Sequence, residues 1–457
     1  MRSMSRVSTT VCVVLAFLAL LPGRVTARQP SLQEALLRAK PAVAMVVSEV
    51  GSEVAVDCGD GRTQTTTPAP VRETGTGWFL GPDGWLITNG HVVASAHQPP
   101  ASLRDDQADK AVRATCGRPL PEAAARARVT LQPALFVILS NGIRLPATVA
   151  KYSPPAAGVA MSGRDLALLR LEASDLPVLK LADSSRLQIG DRLHIVGFPG
   201  VVVTHELLNA SAKVEATITN GAVSGFKQDV ANQTVIQTDA PAASGISGGP
   251  VLNSAGDVVG VLTFVSGAAT DQSEAVQGFN FVIPSAAVKE FVAGTDAAKP
   301  GKSRFNAAWH AGLGAFFDGD HAAAARHLNE ANRLLPELPD VRRVTAENSE
   351  LLKNPPPRPF PWALVAAVIL IASIGVYGAM WARRWQRNRF RIAPSEVARL
   401  LESAPAPPMI IDARDADTYQ KSPVRIPNAV HVTAQELETG ITKLVIDAGR
   451  TVVAYCT

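Results

Sequence analysis

The sequence predicts a multidomain chain: a large all-β domain of sandwich or barrel type, a short helical segment, one membrane-crossing helix and a partial α/β domain. Three observations carry this. Between Ala42 and Phe291, short β-rich runs alternate with Gly, Pro, Asn and Asp, as in all-β folds. From Ser303 to Leu352 the spacing becomes helical and Ala-rich. From Phe360 to Trp381 the chain is apolar and carries no charge, long enough to cross a bilayer. The 47% hydrophobic content permits sizeable cores in a chain of 457 residues. The net charge of +4 and the lack of a basic, aromatic-interleaved stripe in the first 350 residues argue against nucleic acid as a partner.

Taken in chain order, residues 1–27 read as a secretory signal peptide. Arg2 and Arg6 precede the apolar run from Val11 to Leu21, and Val25-Thr26-Ala27 offers a cleavage site after Ala27, with an uncleaved anchor as the alternative. In the β-rich region, Gly81-Pro82-Asp83-Gly84 is a turn between two strands, and the hairpin delivers Asn89-Gly90-His91 at its end. A second hairpin turns at Asn141-Gly142. Asp165 stands at the start of the apolar strand that follows it. The charged, Ala-rich stretch from Ala94 to Arg128 reads as a surface insertion.

Ser247 lies in a glycine bend, Ser244-Gly245-Ile246-Ser247-Gly248-Gly249-Pro250, which exposes its hydroxyl. A serine hydroxyl needs a base within hydrogen-bond reach and a third group to orient that base. His91 and Asp165 can fill these two roles, and the N–H groups of Gly245 and Ser247 can face one oxygen as an oxyanion hole. The chain order His, Asp, Ser is that of the trypsin-like β-barrel proteases.

Four motifs carry a family resemblance: Gly75-Thr76-Gly77-Trp78-Phe79 with Thr88-Asn89-Gly90-His91, then Arg164-Asp165-Leu166, then Gly245 to Pro250, then Phe281 to Pro284. They resemble the HtrA/Deg-type trypsin-like serine proteases. The resemblance implies a double β-barrel over residues 28–298, with His91 as base, Asp165 as its orienting partner and Ser247 as nucleophile. It also implies hydrolysis of exported polypeptides; the family often forms trimers, and whether this chain is a homo-oligomer stays open. Ile246 departs from the family pattern and is expected to affect substrate approach or the resting loop. Val261, Thr263 and Phe264 are expected near the primary specificity pocket, which lacks an acidic residue. No cofactor or metal is expected, since no Cys or His pair has ligand spacing.

Residues 299–353 resemble one tetratricopeptide repeat or, as the alternative, a helical stalk. Residues 354–359 form a stiff Pro-rich lead into the membrane helix at 360–381. The basic segment 382–391 (Arg383, Arg384, Arg387, Arg389 and Arg391) outweighs Lys353 and Arg358 before it, which puts the C-terminus in the cytoplasm. Trp362, Trp381 and Trp385 suit the membrane interfaces. Residues 392–457, with Met409 to Arg414, Ile426 to Val430 and Val452 to Cys456, resemble part of a rhodanese domain, in which Cys456 would be the sulfurtransferase cysteine. Cys58 and Cys116 would lie together on the exported side as a disulfide or as two free thiols, and Cys12 would leave with the signal peptide. The expected activity is a membrane-anchored serine endopeptidase in the inner membrane. The alternative is a polypeptide-binding pseudoprotease that signals to the rhodanese-like segment.

Overall fold

A computed structural model describes residues 29–154, 164–229, 232–265, 279–299, 301–355, 360–403, 405–440, 444–447 and 449–456. The expected signal peptide and most of the Pro-rich lead lie outside the described residues. The chain divides into two compact units, Met1–Pro356 and Pro357–Thr457.

The first unit holds two closed six-stranded barrels. Strands β1 (Val43–Asp57), β2 (Thr63–Thr66), β3 (Val71–Gly81), β4 (Trp85–Thr88), β5 (Arg128–Ile138), β6 (Arg144–Ser153) and β7 (Leu166–Leu171) form one sheet. β1 pairs with β3 on one side and β5 on the other, which closes the ring β1-β3-β4-β7-β6-β5. Among the described residues β2 pairs only with the end of β1. The second barrel runs β10-β13-β12-β11-β8-β9, from β8 (Arg192–Gly197), β9 (Thr217–Gln228), β10 (Thr234–Thr238), β11 (Pro250–Leu252), β12 (Val258–Val265) and β13 (Asn280–Pro284).

The two predicted hairpins form where the turn residues require, β3 to β4 through Gly84 and β5 to β6 through Gly142, both at positive φ. One apolar cluster runs across the seam between the barrels. Val43, Met45, Trp78, Ile87 and Leu168 of the first pack with Val196, Phe198, Leu252, Val258 and Val261 of the second. Burial of this stripe fixes how the barrels face each other, and so fixes any site built from both.

The insertion after residue 94 folds into helices Ala101–Cys116 and Pro121–Arg126. Ala111, Val112 and Ala123 pack on Val54 and Val56 of the extended end of β1, and the Ser52 hydroxyl donates to Gln107 Oε1 at 2.8 Å. A Cys58–Cys116 disulfide closes this attachment.

The helical stretch before the membrane segment is three helices, Arg304–Phe317, His321–Leu334 and Pro339–Lys353, within the same unit as the barrels. Asp320 caps the second by accepting from the Ala323 N–H, and Leu328 packs so closely on Gly312 that a Cβ there would lie 2.9 Å from it. The helices dock on an N-terminal helix, Leu32–Ala39, through Leu37, whose carbonyl accepts from the Trp309 indole at 2.9 Å. They also dock on the barrels, where Asn306 exchanges hydrogen bonds with the Val178 N–H (3.1 Å) and carbonyl (2.8 Å).

His310 sits in this packing, and burial, with the charge of Arg38 beside it, pushes its imidazole down to about 4. The folded state therefore refuses a proton that the unfolded state binds below the ordinary value of 6.5. Stability is full above 6.5 and falls as pH drops from there to about 4, by roughly 3 kcal/mol from this group. Urea titrations at pH 7 and pH 4.5 are expected to show this loss in the parent protein. His310→Gln is expected to remove that part of it.

In the second unit, the helix Trp362–Asn388 is long and apolar enough to cross a membrane, with a mean hydropathy of 2.3 over its most apolar window. Beyond it, β14 (Met409–Asp412), β15 (Val430–His431) and β16 (Val452–Tyr455) form a parallel sheet in the order β15-β14-β16. Asp412 is fully buried and accepts from Arg414 Nη2 and from the Tyr455 hydroxyl, each at 2.5 Å. The Arg414 guanidinium holds the Asp412 carboxyl well below the usual carboxylate range, against the effect of burial. The exposed thiol of Cys456 follows β16 directly.

Candidate active site

His91, Asp165 and Ser247 come from three separate elements around the seam. His91 opens the helix Gly90–His97 that follows β4, and Asp165 immediately precedes β7. β4 and β7 are paired, Thr88 opposite Ala167, so the sheet brings these two residues together. Asp165 has φ 39°, a strained value for a residue with a Cβ, which its surroundings enforce. Asn89 Nδ2 donates to its carbonyl at 2.9 Å, and the His91 N–H donates to Oδ1 at 2.9 Å.

His91 Nδ1 lies 2.8 Å from Asp165 Oδ2. An ionised carboxylate only accepts, so the proton is on Nδ1 and the lone pair on Nε2. The imidazole is 41% exposed while the Asp165 side chain is 2% exposed, so the ring's outer nitrogen faces the open side of the seam. Thr263 Oγ1 donates to the same Oδ2 at 2.6 Å. Asp165 thus accepts from His91 twice and from Thr263 once.

Ser247 lies just before β11, in a bend clamped from both barrels. The Thr76 N–H of β3 donates to the Ser247 carbonyl (2.8 Å), the Thr76 hydroxyl donates to the Gly245 carbonyl (2.7 Å), and the Gly248 N–H donates to the Leu262 carbonyl (2.8 Å). Gly200 N–H donates to the Ser244 carbonyl at 2.7 Å. In a trans peptide the C=O and N–H point oppositely, so this bond turns the Gly245 N–H away from Gly200. Among the described residues, the N–H groups of Gly245 and Ser247 donate to no protein acceptor, although those of Ile246, Gly248 and Gly249 all do. Two unused, neighbouring amides beside a part-exposed hydroxyl are what an oxyanion site requires. Among the described residues Ser247 Oγ and His91 Nε2 have no protein hydrogen-bond partner, so nucleophile and base are not joined by a hydrogen bond in this structure.

Ile246 and the three residues expected near the specificity pocket lie as follows. Ile246 is 2% exposed and packs in the second barrel's core with Leu193, Ile195 and Val251, so it faces away from substrate. Val261 is fully buried in the seam cluster. Thr263 donates to Asp165 and also lines a cavity with Asp165, Phe226 and Ile236; the side chain of Phe264 lies outside the described residues. Among the described residues no group of His, Cys, Asp and Glu is arranged to hold a metal ion.

Residues 75–261 match the trypsin-like peptidase domain, and residues 393–457 match the rhodanese-like domain. A probable periplasmic serine endoprotease DegP-like from Hahella chejuensis is 28% identical over 220 residues, 48% of this chain and 34% of the relative. One from Chlamydia pneumoniae is 29% identical over 216 residues, 46% of this chain and 32% of the relative. The chain therefore spans about a third of the length of these relatives. Among solved structures, the HtrA-type protease AlgW with decapeptide shows 22% identity and a TM-score of 0.37, covering 57% of this chain and 66% of that one. The chain carries a trypsin-like peptidase domain similar to the HtrA/DegP proteases, joined in sequence to a rhodanese-like domain.

Proposed function

We propose that this chain is a membrane-anchored serine endopeptidase acting on exported polypeptides. The single observation that carries the reading is the pair of acceptor-free amides at Gly245 and Ser247, set beside a histidine already oriented by Asp165. A pseudoprotease with a collapsed hole would have the Ser244 carbonyl turned into the site. Its bond to Gly200 favours hydrolysis instead.

In this reading Ser247 Oγ attacks the scissile carbonyl carbon and passes its proton to His91 Nε2. Asp165 stabilises the imidazolium, and the amides of Gly245 and Ser247 hold the oxyanion. His91 then returns the proton to the leaving amine, and water repeats the sequence on the acyl-enzyme. Trp362–Asn388 anchors the chain, with residues 1–27 as signal peptide. The Cys58–Cys116 disulfide supports an oxidising compartment for the barrels, and the five arginines from Arg383 to Arg391 support a cytoplasmic C-terminus.

A fluorophosphonate probe is expected to label the full chain at one residue, mapped to Ser247 by mass spectrometry, with hydrolysis of unfolded protein lost in parallel. A folded protein that takes up no label sinks the hydrolase reading. In intact cells Cys456 is expected to be shielded from a membrane-impermeant maleimide, and labelling there would reverse the topology.

A further inference from the structure

We infer that a ring of four charged residues, Lys40, Glu215, Asp340 and Arg343, positions the Gly245 amide through the loop from Gly200 to Glu215. The inference rests on the hydrolase reading of the site. Each cation of the ring touches both carboxylates. Lys40 Nζ lies 3.0 Å from Glu215 Oε1 and 3.1 Å from Asp340 Oδ1, and Arg343 Nη2 lies 2.6 Å and 3.0 Å from the same two oxygens. Lys40 follows the N-terminal helix, Asp340 and Arg343 lie on the last docked helix, and Glu215 ends a loop of the second barrel. The side chains of Lys40 and Asp340 are 11% and 5% exposed and those of Glu215 and Arg343 31% and 57%, so the Lys40–Asp340 side of the ring is shielded while the Arg343 side meets water.

The loop between Gly200 and Glu215 is a chain of short-range bonds. Thr204 donates to the Gly200 carbonyl, His205 to Val202, Leu208 to His205, Ala212 to the Asn209 side chain, and Glu215 to Ala212. Val203 and Val214 pack on the seam cluster from either end of it. At its start the Gly200 N–H holds the Ser244 carbonyl, which sets the direction of the Gly245 N–H. One end of the loop is therefore fixed by the ring and the other fixes the peptide of the oxyanion site. No bond made by the ring touches Ser247, His91 or Asp165, so these four are positioning residues. With Glu215 truncated, the loop loses its tie to the helices, and the Ser244–Gly245 peptide is free to turn.

The test uses the full chain in detergent and the rate of fluorophosphonate labelling. Glu215→Ala is expected to slow labelling about tenfold, within the roughly 5–150-fold span of coupling between distant sites. Glu215→Asp keeps a carboxylate between Lys40 and Arg343 and is expected to hold the rate within about threefold of the parent. Asn306→Ala loosens the same helices at Val178 without touching the ring and is expected to leave the rate within about twofold. The inference is overturned if Glu215→Ala labels within twofold of the parent, or if Asn306→Ala slows it equally. Amide exchange keeps the two readings separate in a parent that takes no label. Glu215→Ala is expected to speed exchange at residues 199–205, and unchanged protection there overturns the coupling by itself.

Discussion

Asp165→Asn is expected to lower kcat by about four powers of ten while the protein stays folded, the magnitude found for this substitution in a trypsin-type triad. The carboxylate here meets three donors: the His91 N–H at Oδ1, and His91 Nδ1 and the Thr263 hydroxyl at Oδ2. An amide keeps one accepting oxygen and replaces the other with two donors. If its oxygen keeps the His91 N–H, its NH2 faces Nδ1 and the Thr263 hydroxyl. Nδ1 must then accept, the proton moves to Nε2, and the base no longer has a lone pair toward Ser247. The Thr263 hydroxyl can rotate to accept, so the fold is spared while the tautomer is wrong. Single-turnover hydrolysis and labelling rates measure the loss. A rate within tenfold of the parent would mean that Asp165 does not set the imidazole tautomer. Thr263→Val is the milder companion: it removes one of the two donors at Oδ2 and leaves the imidazole bond in place.

That Thr263 belongs to Asp165 could have been found from the sequence by a different question. It is a hydroxyl inside the apolar run Val258 to Val265, and a buried hydroxyl requires a partner. The candidate site residues were legible because they sit in local motifs whose turn chemistry shows in the sequence, such as the glycines around Ser247. Ile246 misled for the opposite reason. Its neighbour Ser247 faces the open side, but a residue between two positive-φ glycines, Gly245 and Gly248, follows no simple alternation, and its side chain turns into the barrel core. The docking of the helices was not legible at all. The Trp309 bond to Leu37 spans 272 residues and the Asn306 bonds to Val178 span 128, and helical periodicity gives a buried face without its partner. The charged ring is of the same kind, since its four members come from three distant stretches of chain.

Gly248→Ala is expected to abolish labelling of Ser247 and to lower the thermal midpoint. Gly248 has φ +87°, where a side chain is strained, and the space for a Cβ is already filled by the Thr76 carbonyl, the Thr88 hydroxyl and the Asn89 N–H. The first two of these atoms are bonded to each other, the Thr88 hydroxyl donating to the Thr76 carbonyl at 2.7 Å, so neither yields alone. Left-handed backbone alone costs about 1–2 kcal/mol for a residue with a Cβ, and the overlap adds to it. Relief requires the Ser247 bend to move away from the first barrel, which breaks the Thr76 N–H bond to the Ser247 carbonyl. His91 rides on the barrel that stays, since Thr88 and Asn89 lead directly into its helix. The same movement therefore separates nucleophile from base and turns the amides of Gly245 and Ser247 off the oxyanion position. A misplacement of about 1 Å already costs on the order of a hundredfold in rate. Labelling kinetics at a temperature well below the variant's own melting midpoint isolate this geometric loss from unfolding. A variant that melts early yet labels at the parental rate would show that the seam at Thr76 does not set the position of Ser247.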